Sequence, residues 1–243
     1  MPSKIRVACF VDGFNLYYAI RALNDETLSA FDVNLRRLAS QFINPKKEVL
    51  KSVHYFYAPW KEEKGKEQSA YLARLKTTQV KLIPGKFQYK IERCNQCQTQ
   101  TVRYIEKLTD VNLAVAILSQ AVSNTYDRAL VITNDSDISG GIGATKKFFP
   151  NKKITVLTPP GKQTAFDLTS VASTCLPITV GHLALSRFDW DKRKRITSVP
   201  TVLEKVKVEA FKSSERKEAE KKERNEISLS EASFDFFPSC TIL

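Results

Sequence analysis

The nine residues Ala129–Asp137, ALVITNDSD, join a short apolar run to a polar cluster with two carboxylates. The apolar run is typical of a parallel strand covered by helices on both faces. In open α/β sheets, ligands bind beyond the carboxyl ends of the strands, where Asp135 and Asp137 lie. Two close carboxylates repel each other unless a cation neutralises them. Taken alone, the stretch fits a metal site and a solvated turn with an Asp helix cap about equally well.

The composition indicates a globular chain that contains one large α/β domain. Its 243 residues are 42% hydrophobic, which is ample for a full core. The sequence contains neither an apolar run long enough to cross a bilayer nor a secretory signal. An odd number of cysteines, five, argues against a disulfide framework. We therefore expect a cytoplasmic protein with no membrane partner.

The charge of the chain indicates a polyanionic partner. The formal net charge is +12, and clustered Lys and Arg bind phosphates through counterion release. Residues 192–224 carry 12 Lys and Arg against 6 Glu, so half of the excess lies late in the chain. The first 191 residues are also basic, with 26 Lys and Arg against 17 Asp and Glu. We expect residues 1–185 to form the α/β domain and residues 186–243 to form a basic extension that is partly helical or disordered.

Strands and helices alternate along the first 185 residues, which predicts a three-layer α/β fold with a mostly parallel central sheet. A helix is predicted from Thr109, its N-cap, with Val111, Ala114, Val115, Leu118 and Val122 on the inner face. A two-stranded excursion is predicted over Phe87–Ile91 and Thr101–Ile105. The predicted strands of the central sheet are Ile5–Val11, Ser52–Tyr57, Val80–Ile83, Tyr126–Ile132, Ile154–Leu157 and Ile178–Val180.

Two further acids are predicted to lie at the same edge of the sheet as Asp135 and Asp137. Asp12 ends the first strand, and Asp110 lies in the first turn of a helix, where the helix dipole favours a carboxylate. Four acids at one edge would bind Mg²⁺ or Mn²⁺, which prefer oxygen ligands. Because neither His54 nor His182 lies in these segments, a histidine-based hydrolase centre is disfavoured.

Three motifs carry a resemblance to a known family. They are FVDGFNL from Phe10, EKLTDVNLA from Glu106 and TNDSD from Thr133. In this order and spacing, they resemble the NYN domain family of PIN-like nucleases, in its bacterial LabA-like branch. The resemblance covers roughly residues 5–180.

The resemblance implies a PIN-like α/β/α sandwich and a metal-dependent endoribonuclease. By matching positions, Asp12, Asp110 and Asp135 are the metal-binding and catalytic acids, and Asp137 is the fourth. Asn15 matches an Asn that orients a ligand water or a phosphate. Asn134, a substrate-binding candidate together with Asn15, stands where many relatives have Ser or Gly. The sequence Ser139-Gly140-Gly141 departs from the bulkier turn of relatives, which leaves the local shape of the site open.

The expected reaction is hydrolysis of an RNA phosphodiester, in single-stranded RNA, by a metal-activated water. Lys107, next to the acids, is a candidate phosphate contact, although an ordinary surface lysine is the simpler interpretation. Trp60, Tyr55 and Tyr57 are more typical of a core than of base stacking. Two alternatives remain: a non-catalytic RNA-binding or regulatory protein on the same fold, and a metal-dependent phosphatase or nucleotide hydrolase.

Cys94 and Cys97 have the spacing of half a structural zinc site. A complete Zn²⁺ site would need a second molecule or His54, so a homodimer remains open. A reducible local disulfide or a knuckle that has lost its metal fits the same pair of residues.

Overall fold

The computed structural model describes residues 3–60, 62–93 and 100–188. The helices are α1 (Gly13–Ala22), α2 (Leu35–Ser40), α3 (Glu62–Thr77), α4 (Thr109–Val122), α5 (Ser139–Phe148), α6 (Phe166–Val171) and α7 (Val180–Leu185). The strands are β1 (Ile5–Asp12), β2 (Glu48–Tyr57), β3 (Val80–Pro84), β4 (Lys86–Arg93), β5 (Gln100–Lys107), β6 (Arg128–Ile132), β7 (Lys153–Thr158) and β8 (Thr174–Pro177).

Six strands form a parallel sheet in the order β3-β2-β1-β6-β7-β8. From β1 the chain adds β2 and then β3 on one side of the sheet. It then crosses to the other side of β1, where β6, β7 and β8 follow in order. The strand order therefore reverses between β1 and β6, the point at which doubly wound sheets form a crevice. The register pairs Val11 with Ile132, so the residues that follow both strands leave the sheet side by side.

Helices cover both faces of the sheet, because alternate residues of each central strand point to opposite sides. Val7, Cys9 and Val11 of β1 pack in one core with residues of α1, α2, α3 and α7. Ala8 and Phe10 pack in a second core with residues of α4, α5 and α6. The predicted three-layer α/β/α sandwich with a parallel central sheet is confirmed.

The strands β4 and β5 form a separate antiparallel hairpin between β3 and α4, as the sequence predicted. A two-stranded hairpin alone is marginally stable in water. Its base is held by backbone contact, since Gly85 N–H donates to the Tyr57 carbonyl at 2.6 Å. Side-chain contact adds to this, because the rings of Phe87 and Phe14 meet edge to face with centroids 5.8 Å apart.

The predicted inner face of α4 was wrong. Its buried residues are Thr109, Leu113, Ile117 and Ala121, whereas Val111, Val115 and Val122 are exposed. The helix carries apolar residues on both faces, so helical periodicity alone did not identify the buried one. The N-cap prediction was also wrong, because Leu108, in the left-handed region with φ 81°, precedes the helix.

The last predicted strand was also wrong. The strand beside β7 is Thr174–Pro177, and Val180 begins α7 instead. The β-branched residues at 178–180 suggested a strand, but the Thr179 side chain accepts a hydrogen bond from His182 N–H and caps a helix. The folded part extends past residue 185, because Asn34 N–H donates to the Ser186 carbonyl at 2.7 Å.

The predictions about the C-terminal extension and about membrane spans concern residues that the structure describes only in part. The character of the C-terminal extension stays a prediction, since residues 189–243 lie outside the described part of the chain. Within the described ranges, the helices are all too short or too polar to cross a membrane.

Candidate functional site

Asp12 lies where β1 passes directly into α1. Its carboxylate is the N-cap of the helix, and its Oδ1 accepts a hydrogen bond from Asn15 N–H at 2.9 Å. The turn requires glycine next, because a Cβ at Gly13 would lie 2.4 Å from the Phe56 carbonyl oxygen of β2. This close approach leaves Asp12 only 5% exposed. The Asp-Gly-Phe-Asn motif therefore places a buried carboxylate at the carboxyl edge of the sheet.

Thr133 connects Asp12 to the segment that follows β6. Its hydroxyl donates to Asp12 Oδ2 at 3.0 Å and accepts from Asp135 N–H at 3.0 Å. Asp135 in turn caps a short 3-10 turn, since its Oδ1 accepts from Asp137 N–H at 2.9 Å. The two acid-bearing segments are thus held together by one buried hydroxyl.

Asn15 and Asn134 join the same segments a second time. Asn15 Oδ1 accepts from Asn134 N–H at 3.0 Å, and Asn134 Oδ1 accepts from Ala165 N–H at 2.9 Å, just before α6. Both amide oxygens are therefore engaged with backbone. The contacts in the structure give these two residues a positioning role.

Asp110 reaches the site from the first turn of α4. Glu106, at the end of β5, supports this turn, because its Oε1 accepts from Thr109 N–H at 3.0 Å. Asp12, Asp110 and Asp135 each lie at the amino end of a helical segment. The partial positive charge of those ends favours carboxylates and anionic ligands.

Three of the predicted acids line one cavity of about 430 Å³ between β1, β6, α4 and the hairpin. Asn15 lines it as well, so four predicted site residues converge from three separate segments. The described residues that line the cavity are Asp12, Phe14, Asn15, Tyr18, Ala19, Phe87, Tyr104, Glu106, Thr109, Asp110, Asp135 and Lys162.

The cavity raises the pKa values of two acids. Burial raises the pKa of Asp12 to about 7, and the charges of Asp110 and Asp135 add to the shift, against hydrogen bonds from Asn15 and Thr133. Burial also raises the pKa of Asp110 to about 6, helped by the charges of Asp135, Glu106 and Asp137. Carboxylates from separate segments therefore interact electrostatically and resist joint ionisation.

Asp137 and Lys107 lie beside the cavity. Both line a neighbouring depression with Glu106, Asp110 and Val111. Asp137 is exposed, and its negative charge contributes to the raised pKa of Asp110. The structure thus brings Asp137 and Lys107 close to Asp110, in a depression that Asp12 does not line.

The donor set suits a hard divalent cation. Carboxylate oxygens are the ligands that Mg²⁺ and Mn²⁺ prefer, and a cation would relieve the mutual repulsion that adds to burial in raising the pKa values of Asp12 and Asp110. In the described part of the chain, no group of three His, Cys, Asp or Glu side chains is arranged closely enough to hold a metal ion without rearrangement.

Sequence reasoning missed several residues of the cavity. Glu106 and Lys162 were not assigned roles, although Lys162 follows β7, the strand next to β6, and so opens on the same edge of the sheet. Four aromatic residues that line the cavity were also missed, because they lie in α1 and in the hairpin. By contrast, Tyr55 belongs to the core, with Tyr57 and Trp60 packed against it, as the simpler interpretation predicted.

Gly141, part of the departure from the family pattern, brings α5 close to α4. A Cβ at this position would lie 2.8 Å from the Ala114 Cβ. The glycine therefore lets the helix after Asp137 pack directly on the helix that carries Asp110.

The zinc prediction cannot be placed, because Cys94 and Cys97 lie outside the described residues. Its suggested further ligand, His54, is buried, with its Nε2 3.0 Å from Ser52 Oγ. The His54 ring stacks on Phe10 with centroids 5.2 Å apart. In this arrangement His54 packs in the core between the sheet and α4.

Comparisons with known proteins identify the family, although the two solved structures below carry no argument about the fold. A protein of unknown function from Vibrio parahaemolyticus is 20% identical over 73% of this chain and 96% of that chain, with a TM-score of 0.49. A hypothetical protein from Neisseria gonorrhoeae, solved with bound ppGpp, is 11% identical over 81% of this chain and 97% of that chain, with a TM-score of 0.22. No curated protein matches the sequence significantly.

A family model does match. The model of the NYN domain aligns with residues 6–179, which include all three acid-bearing motifs. The chain therefore belongs to the NYN domain family, a family of the PIN-like nuclease type.

Proposed function

We propose that the protein is a metal-dependent endoribonuclease of the LabA-like branch that acts on single-stranded RNA in the bacterial cytoplasm. The observation that carries the proposal is the convergence of Asp12, Asp110 and Asp135 on one cavity at the switch point of the sheet. These acids come from segments far apart in sequence, and burial and mutual repulsion raise the pKa values of Asp12 and Asp110. A protein that only bound RNA would gain nothing from such an arrangement.

Asp12, Asp110 and Asp135 would hold one or two Mg²⁺ or Mn²⁺ ions. When bound, the metal supplies an activated water and offsets the charge that develops on the phosphate. Thr133 and Asn15 hold Asp12 and Asp135 at a fixed separation. Glu106 holds the turn that presents Asp110.

Two lysines are proposed to contact phosphates. Lys162 lines the same cavity as the acids, where it would neutralise a phosphate beside the metal. Lys107 lies in the neighbouring depression with Asp137, where it would contact a flanking phosphate. The net charge of +12 favours a polymeric anion over a mononucleotide.

Cleavage of a labelled single-stranded RNA by the full chain tests the proposal. Wild type is expected to cleave with Mg²⁺ or Mn²⁺ and not with EDTA. Asp135→Asn is expected to lower cleavage by at least about a thousandfold while RNA binding is retained, because metal chemistry supplies most of the rate. Asp137→Asn, outside the cavity, should lower it less.

Asp167→Asn is the matched control, since Asp167 is exposed in the first turn of α6. It should cleave as wild type does. Equal cleavage by Asp135→Asn would contradict the assignment of the acids. RNA binding without cleavage by wild type would favour the non-catalytic RNA-binding alternative.

A further inference from the structure

One face of the β4–β5 hairpin is apolar and exposed. Tyr89 pairs directly with Tyr104, and Ile91 with Val102, so these four side chains lie on the same face. Tyr89 is 68% exposed and Tyr104 62% exposed. Soluble proteins rarely leave such contiguous apolar patches exposed unless the patch binds something. We call these four residues and Phe87 the hairpin aromatic face.

The hairpin aromatic face is continuous with the acidic cavity. Phe87, two residues before Tyr89, pairs with Glu106 on the same face of the hairpin. Phe87, Tyr104 and Glu106 all line the cavity. Because alternate residues of a strand are about 7 Å apart, the face begins beside the acids and extends outward past Tyr89.

The cavity end of this face is fixed to the body of the protein. Phe87 meets Phe14 edge to face, and Phe14 lies parallel to Tyr18 with ring centroids 6.3 Å apart. Tyr18 is exposed and lines the cavity from α1. Aromatic rings therefore surround the opening of the cavity on two sides, from α1 and from the hairpin.

We propose that the hairpin aromatic face stacks unpaired bases of a single-stranded RNA whose phosphodiester lies at Asp12, Asp110 and Asp135. The proposal rests on the proposed function for the position of the phosphodiester. A base stacked on Phe87 would flank the cleaved bond, and the next base outward would stack on Tyr89 or Tyr104, which pair across the hairpin. Aromatic stacking accepts every base. The hairpin aromatic face would therefore select single-stranded over paired RNA, without preferring a particular base sequence.

The charge around the hairpin favours RNA over an apolar protein partner. Lys86, Lys90 and Lys107 are exposed on its two strands, and their alternation with the aromatic residues places them on the opposite face. Lys90 pairs with Glu92 at 3.4 Å, so the positive charge offered to a phosphate comes mainly from Lys86 and Lys107. Long lysine side chains at the strand edges reach phosphates while bases occupy the aromatic face. Aromatic rings beside a positively charged path are the usual composition of single-strand binding surfaces.

The test of the hairpin aromatic face compares how two oligomers bind to the full chain. The chain carries Asp135→Asn, which is expected to prevent cleavage during the measurement. One oligomer is a short oligoadenylate, and the other is a backbone of the same length and charge without bases. Both are labelled, and affinity is measured by fluorescence anisotropy in Mg²⁺. The oligoadenylate is expected to bind more tightly, because phosphate contacts are common to both and stacking is not.

Substitutions at Tyr89 separate a stacking surface from a generally apolar one. Tyr89→Leu keeps an apolar side chain but loses the ring, so it should weaken oligoadenylate binding by roughly 5- to 150-fold. It should leave the base-free oligomer unaffected. Tyr89→Phe should bind as its parent does. Phe148→Leu is the control, because Phe148 is 66% exposed in α5 and lies outside the cavity lining.

Equal affinity for the two oligomers would contradict the proposal that the hairpin aromatic face stacks bases. An unchanged oligoadenylate affinity in both Tyr89→Leu and Tyr104→Leu would contradict it as well. So would a dimer, seen by sedimentation, that Tyr89→Leu dissociates without changing RNA affinity. If wild type cleaves RNA and the tyrosine substitutions do not change RNA affinity, the stacking proposal is contradicted and the ribonuclease proposal stands. Tyrosine-dependent binding of bases by a wild type that does not cleave would support the stacking proposal and contradict the ribonuclease proposal.

Discussion

The Thr133 hydroxyl donates a hydrogen bond to Asp12 Oδ2 at 3.0 Å and so ties the end of β6 to the end of β1. The same oxygen accepts from Asp135 N–H. Thr133 is fully buried, so water does not compete for either bond. The separation of Asp12 from Asp135 therefore depends in part on a side chain that is not itself acidic, with Asn15 as the second connection.

Thr133→Val keeps the shape of this side chain and removes its hydroxyl. Mn²⁺ affinity, measured by calorimetry, is expected to fall by about 10- to 100-fold, as for other groups that orient metal ligands. The free energy of unfolding should fall by about 1–3 kcal/mol, because Asp135 N–H loses its acceptor.

Thr145→Val is the matched control for this change. Thr145 is also buried, and its hydroxyl donates to the Gly141 carbonyl inside α5 at 2.8 Å. It should lower stability without changing Mn²⁺ affinity. Unchanged Mn²⁺ affinity in Thr133→Val would show that Thr133 does not position the acids.

Asn15→Ala removes the second connection between the acid-bearing segments. Asn134 N–H would lose its acceptor, so we expect a loss of about 1–3 kcal/mol in unfolding free energy and a clear drop in RNA cleavage. Asn34→Ala provides the comparison, since Asn34 also accepts a backbone hydrogen bond, from Arg37 N–H, at the start of α2. It should cost about 1 kcal/mol as a lost N-cap and leave cleavage intact. Equal cleavage by the two variants would remove the positioning role of Asn15.

The sequence was sufficient to predict five of the six strands of the sheet and three acids of the cavity, because each acid lies at or just after the end of a strand or begins a helix. Local pattern also predicted the hairpin. It did not identify the buried face of α4, because apolar residues lie on both sides of the helix: Leu113 and Ile117 are buried, whereas Val111, Val115 and Val122 are exposed. It also missed Lys162 and Phe87, because their place in the cavity depends on strand order and on the packing of the hairpin.

The raised pKa values predict an unusual pH dependence of stability for the metal-free protein. Asp12 has a pKa of about 7 when folded, against 3.8 ordinarily, so the folded state holds a proton that the unfolded state releases. The stability associated with neutral Asp12 is full below about pH 4 and is lost as pH rises through about 7. Asp110, with a pKa of about 6, acts in the same direction.

Urea unfolding in EDTA is expected to show this loss between about pH 4 and pH 7, the span between the ordinary and the raised pKa values of Asp12. Asp12→Asn should weaken the dependence and stabilise the metal-free protein at the higher pH. Asp167→Asn should leave the dependence as in wild type. An Asp12→Asn protein with the same pH dependence as wild type would show that Asp12 is not the group responsible.

The adjacent glycines of α5 are expected to respond in opposite directions to alanine. Gly140→Ala meets nothing within 4 Å and should stabilise the protein by about 0.5–1 kcal/mol through the better helix propensity of alanine. Gly141→Ala places a Cβ against Ala114 and should destabilise it by about 1–3 kcal/mol through overpacking. Urea unfolding of the pair checks the packing of α5 on α4, and equal effects of the two substitutions would contradict it.

Anomalous diffraction from crystals of the full chain grown with Mn²⁺ tests the metal assignment most directly. A Mn²⁺ peak contacted by Asp12, Asp110 and Asp135 is expected, and the peak should be lost in Asp135→Asn crystals grown in the same way. Mn²⁺ bound only at other positions, with these three carboxylates free of metal at a saturating concentration, would contradict the proposed metal centre.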